Sequence, residues 1–77
     1  MTAVQCRMAR AGLGFGVRDI AKLANVSPST VARLEAGEDL MPRTVESIQR
    51  AFEAAGVEFT NGDAPGLRLR PQRRNKR

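Results

Sequence analysis

Between Val17 and Gly37 the chain reads VRDIAKLANVSPSTVARLEAG, and the side chains there that can do chemistry are hydroxyls and cations. Ser27, Ser29 and Thr30 can each donate or accept a hydrogen bond. Arg33 follows with a planar fork of donors that matches paired acceptors, and Arg18 and Lys22 add two cations upstream. Such a set recognises; it does not make or break bonds. The sequence has no histidine, one cysteine, no metal-ligand cluster, no phosphate-binding glycine motif and no nucleophile beside a base. No enzymatic activity, metal or cofactor is therefore expected.

Two short helices joined by a tight turn are needed to hold these side chains. Val17 to Ala24 places Ile20, Ala21 and Ala24 at core spacing. Asn25 stands where the chain must reverse, and asparagine tolerates the left-handed conformation better than any residue but glycine. Val26 is expected under the turn. Ser27 followed by Pro28 is a cap and then a first-turn proline whose missing N–H is not needed there. The helix it opens is expected to reach Glu35, with Val31 and Leu34 inward and Gly37 as a nearby stop. This is the spacing of a helix-turn-helix, whose second helix fits the major groove of DNA.

The flanking sequence supplies the rest of a small core. Thr2 followed by Gln5 matches a capping box for a first helix, expected over Ala3 to Ala11 and broken by Gly12, Gly14 and Gly16. Cys6 falls on the apolar face of that helix and is expected in the core, and Phe15 is the apolar plug of the loop. A fourth helix is expected over Arg43 to Ala55, because Val45, Ile48, Phe52 and Ala55 form one stripe. Beyond Gly56 the period changes. Val57-Glu58-Phe59 and Leu67-Arg68-Leu69-Arg70 alternate apolar with charged residues around Asn61-Gly62 and Pro65-Gly66, which predicts a β-hairpin with one apolar face. That face must cover the helices or meet another subunit.

Seventy-seven residues support one domain. The net charge of +5 is uneven: residues 1–67 hold seven basic and eight acidic residues, while residues 68–77 hold six basic residues and no acidic one. The high isoelectric point thus belongs to the tail, which is expected to be disordered and to favour polyanions. One cysteine cannot form an intramolecular disulfide and fits a reducing compartment. With neither the apolar run of a signal peptide nor a membrane span, the chain is expected to be soluble and cytoplasmic, with no membrane partner.

The carriers Ile20-Ala21, Val26-Ser27, Thr30-Val31-Ala32-Arg33-Leu34-Glu35-Ala36-Gly37 and Pro42-Arg43 give the chain a resemblance to the Cro/C1-type (XRE) helix-turn-helix regulators of phages and bacteria. The resemblance covers about residues 3–55. It implies a mainly α, lambda-repressor-like fold, a four-helix DNA-binding domain over 1–56; the residues beyond it add the β-hairpin at 57–70, a possible dimerisation element, and the basic tail at 71–77. The resemblance implies that the helix capped by Ser27 enters the major groove. Its outward residues Pro28, Ser29, Ala32 and Arg33 would then contact bases, Arg33 through a guanine edge.

Phosphate contacts are expected from Val17, Arg18, Lys22, Ser27, Thr30 and Arg43, with Arg73 and Arg74 from the tail. The family usually has Gln or Ser where this chain has Val17, so only the backbone N–H remains to reach a phosphate there. Glu38 and Asp39, beside the expected DNA face, oppose it electrostatically. Arg10 and Glu35 match positions that in the family often form an ion pair across the core. Leu23 stands where a polar residue is usual: it is either a lone surface leucine or a residue covered by the hairpin or a second subunit. The reading that follows is a transcription regulator, a repressor by resemblance, binding double-stranded DNA as a homodimer on a near-palindrome, with Val57, Phe59, Leu67 and Leu69 near the seam. A bacterial or phage-encoded, nucleoid-associated location goes with it. The alternatives are an antitoxin-like regulator in which a partner protein comes first, and a nucleoid-type protein whose tail binds any duplex.

Overall fold

The computed structural model describes residues 1–61 and 64–70. Four helices are followed by two strands: α1 (Ala3–Leu13), α2 (Val17–Ala24), α3 (Pro28–Glu35), α4 (Pro42–Ala54), β1 (Val57–Thr60) and β2 (Gly66–Leu69). The architecture is mainly helical, as expected, with one small antiparallel sheet. Arg73 and Arg74, expected to reach phosphates, lie outside the described residues.

Local chemistry accounts for most helix ends. The Thr2 hydroxyl accepts from the Gln5 N–H (3.1 Å), and the Gln5 side-chain oxygen accepts from the Thr2 N–H (2.8 Å), closing the capping box on α1. α1 runs two residues further than expected and stops at Gly14, which takes φ +72°. Gly12 stays helical, and β2 lies close against it: a Cβ at Gly12 would sit 2.9 Å from Leu69 Cδ1. α2 begins after Gly16, whose N–H donates to the Asp19 carboxylate at 2.7 Å. It ends at Asn25, in the left-handed region at φ 60° and ψ 44°. The Asn25 and Val26 N–H groups then donate back to the carbonyls of Lys22 and Ala21. Ser27 caps α3, its Oγ accepting from the Thr30 N–H at 3.2 Å, and Pro28 occupies the first turn.

The core comes from the four helices and β1, with Leu67 of β2 packed against it. Cys6 and Ala9 from α1, Ile20, Ala21 and Ala24 from α2, Val31 and Leu34 from α3, Ile48 and Phe52 from α4, and Val57 from β1 are all buried. Phe15, Val26, Val45, Phe59 and Leu67 pack around them. The Phe52 and Phe59 rings meet edge to face at 6.1 Å.

The hairpin pairs Val57 with Leu69, Glu58 with Arg68, Phe59 with Leu67 and Thr60 with Gly66. Its apolar face turns to α1 and α4, and Glu58 and Arg68 form an outward ion pair at 3.1 Å. Both ends of the hairpin are fastened. Gln5, only 1% exposed, donates from Nε2 to the carbonyls of Thr60 (2.9 Å) and Gly66 (2.8 Å). At the other end the Arg70 N–H donates to the Gly56 carbonyl (2.7 Å), and its guanidinium to the Glu53 carbonyl (2.8 Å).

Two placements bear on the sequence-based expectations. Leu23 is 57% exposed and does not lie under the hairpin, which packs on α1 and α4. Val57, expected near a seam between subunits, is 1% exposed inside the core of the single chain. The alternating pattern defined which face was apolar, but the helices of the same chain claim that face.

Candidate nucleic-acid interface

α2 and α3 are short helices held at a fixed angle by the Asn25 turn and by Ile20, Ala24, Val31 and Leu34 in the shared core. That packing leaves one face of α3 in water. Pro28, Ser29, Ala32 and Arg33 are all exposed on it, and Thr30 is half-buried at its edge. At the start of α3 three hydroxyls are linked: Ser27 Oγ lies 2.8 Å from Thr30 Oγ1 and 3.1 Å from Ser29 Oγ. The Ser29 hydroxyl thus stands beside the cap and open to solvent.

The cations gather around this face. One shallow groove runs between α2 and the start of α3, lined by Arg18, Lys22 and Pro28 among others. A second runs between α3 and the α3–α4 connection, with Ser27, Thr30, Arg33 and Thr44 on its walls. Val17 is half-buried against the core and keeps its N–H in the first turn of α2, where backbone donors have no helical acceptor. Arg43 is exposed in the first turn of α4, and its carbonyl accepts from the Ser47 hydroxyl at 3.0 Å.

Arg33 does not stand alone. Its Nε donates to the Glu38 carboxylate at 2.9 Å, and the Glu38 N–H donates to the Arg33 carbonyl at 3.1 Å. This contact follows from the end of α3, where Gly37 takes φ +89° and turns the chain back alongside the last helical turn. Both side chains are about half exposed. From residue type and position alone, Glu38 is only an unfavourable charge beside the expected DNA face. Its spacing of five from Arg33 is not a helical pairing, so the contact was not visible without the cap geometry.

Behind the exposed face, α1 and α3 are joined by Glu35. Its carboxylate accepts from Arg10 Nε at 2.7 Å and from Arg10 Nη2 at 2.9 Å, a two-pronged ion pair. Cys6 Sγ donates to the same carboxylate at 3.4 Å, and Arg7 Nη1 donates to the Glu35 carbonyl at 2.9 Å. Arg10 also reaches the Phe15 carbonyl at 3.2 Å. The Arg10 hydrogen bonds hold the Glu35 carboxyl below its ordinary range, against the opposing effect of burial. Desolvation, with the adjacent carboxylate, pushes the Cys6 thiol up to about 12. These groups are scaffold for α3 and do not face the groove.

Of the hairpin residues, Phe59 and Leu67 are half-buried on the core, and Leu69 is 42% exposed. Among the described residues no group of acidic, cysteine or histidine side chains could hold a metal ion, and no helix is long and apolar enough to cross a membrane.

No curated protein matches the chain. A family model described as a helix-turn-helix domain matches residues 3–60, which takes in all four helices and β1. The matched residues include the capped turn at Asn25–Ser27 and the whole of α3. With its residues laid out as a regulator of the Cro/C1 kind has them, the chain belongs to the helix-turn-helix domain family, a family of DNA-binding domains.

Proposed function

We propose that the protein is a sequence-specific regulator of transcription that represses from a near-palindromic operator as a homodimer. The observation that carries this reading is the exposed face of α3, where Pro28, Ser29, Ala32 and Arg33 project from a helix whose opposite side is core. In this reading Arg33 takes a guanine edge, Ser29 a base or phosphate, and Pro28 and Ala32 thymine methyls. Arg18, Lys22, Ser27, Thr30, Arg43 and the Val17 N–H then grip the phosphates on either side, with Arg73 and Arg74 adding sequence-independent attraction.

One reading helix covers few base pairs, and two copies about one helical turn apart supply the rest. Because Val57 is internal, a seam on the hairpin side centres on Leu69 and on Val4 and Met8, which share the Gly12 face of α1 and are exposed. Selection of bound duplexes from a random pool at physiological salt tests the reading. A near-palindromic motif, lost or degraded with Arg33→Ala, supports it. Tight binding only at low salt, with no motif, would sink it and leave the tail as the principal determinant.

A further inference from the structure

The proposed function makes no use of the Arg33–Glu38 contact on the exposed face. An ion pair this exposed contributes little to stability. A carboxylate beside a DNA-facing helix also repels phosphates. Its position is nevertheless well defined, because two bonds join the same two residues: backbone N–H to carbonyl, and carboxylate to guanidinium. Gly37, in the left-handed region, directs both.

The consequence for Arg33 is geometric. With Nε occupied by Glu38, the side-on pairing that uses Nε is closed, and the two Nη groups stay available for an end-on approach. An unheld arginine has many rotamers to lose on binding; one already held loses fewer. The carboxylate also discriminates: a guanine edge replaces the water on the Nη groups without disturbing the pair, whereas a phosphate must approach against the negative charge of Glu38.

We infer that Glu38 is a positioning and specificity-determining residue, holding Arg33 through Nε so that it reads a guanine end-on while discouraging non-specific phosphate binding. The inference rests on the proposed DNA-reading role of α3, and the test separates the two.

The experiment uses the full chain and the duplex motif selected by the wild type, together with copies carrying a single base change at each position and a random duplex. Affinities are measured at fixed salt for wild type, Arg33→Ala, Glu38→Ala and Glu38→Gln, with melting temperatures alongside. Arg33→Ala should flatten the preference at one guanine per half-site. Glu38→Ala should relax the same position about tenfold, within the range a good two-pronged base contact supplies, and should bind random duplex several-fold more tightly. Glu38→Gln keeps an oxygen for Nε but loses the charge, so it should retain most of the guanine preference while also binding random duplex more tightly. All melting temperatures should stay close to wild type.

If Glu38→Ala tightens binding to every duplex equally and leaves the guanine preference intact, the positioning role is wrong and Glu38 is only a repulsive charge. A clear fall in melting temperature for Glu38→Ala would also overturn it, in favour of a structural role. Failure of the wild type to select any motif, or a motif indifferent to Arg33→Ala, would overturn the reading of α3 itself.

Discussion

At the scale of single residues, Glu35 carries the most. Its carboxylate takes both prongs of Arg10 and the thiol of Cys6, and its backbone carbonyl takes Arg7. Replacing it with alanine leaves the Arg10 charge in a largely buried setting without its partner. Loss of one member of such a pair costs about 3 kcal/mol, which a denaturant titration of Glu35→Ala will read directly. The same residue gives a pH dependence. Its folded pKa is depressed, so its contribution is complete above the ordinary value of 4.5 and is lost as pH falls through the lower folded value. Wild-type stability should therefore decline below pH 4.5, and Glu35→Gln should remove that part of the slope. Cys6 makes a second residue-scale prediction. A buried thiol raised to about 12 has almost no thiolate at pH 8. Alkylation followed by mass spectrometry should show negligible labelling of the native protein and full labelling in denaturant. Prompt native labelling would mean that Cys6 is not in the core.

At the scale of elements, the hairpin depends on α1 through one side chain. Two strands alone are marginal in water. Here Gln5 uses its oxygen to cap α1 and its amide to hold one carbonyl from each strand. Gln5→Ala removes three hydrogen bonds and leaves two carbonyls without their donor, a loss of about 3 kcal/mol at roughly 1 kcal/mol per bond. Gln5→Glu preserves shape and the capping oxygen but turns an oxygen toward both carbonyls. It should be at least as destabilising at pH 7 as alanine, measured by melting temperature, and a neutral outcome would show that the clasp contributes nothing. The double use of Gln5 was only half legible. Thr2-x-x-Gln5 announces a capping box locally, but the partners of the amide lie more than fifty residues further along the chain.

The hairpin also shows where periodicity stops informing. Alternation at Val57–Phe59 and Leu67–Leu69 identifies the strands and their apolar face. Whether that face meets helices or another copy depends on the distance between chain segments, and the helices take Val57, Phe59 and Leu67. The end of α1 is similar. Gly12 has the composition of a helix breaker, yet it remains helical, with Leu69 lying where a side chain would be.

At the scale of the whole molecule, charge is distributed unevenly along the chain. Residues 1–70 are nearly balanced, and residues 71–77 carry four of the basic residues with no acidic one. If those four engage phosphates, deleting 71–77 should lower the salt dependence of DNA affinity by up to about 3.6 in the log–log slope, at ~0.9 per contact. It should leave the selected motif unchanged. An altered motif would assign base reading to the tail.

The capped starts of α1 and α3, the left-handed turn at Asn25, the proline start of α3 and the outward face of that helix are all legible in the residues alone. Each of these depends on bonds or periodicities that span a few residues, so local chemistry is sufficient. The pairing of Arg10 with Glu35 was accessible only through family resemblance, since nothing in the spacing relates two residues on different helices. The packed chain adds what spacing does not give: Gln5 clasps both strands, Cys6 donates to Glu35, the hairpin leaves Leu23 exposed and Glu38 holds Arg33. Those outcomes rest on which segments share a neighbourhood once the chain is compact, and on a carboxylate's angle of approach after a glycine turn. Neither quantity is a property of residue type or spacing alone.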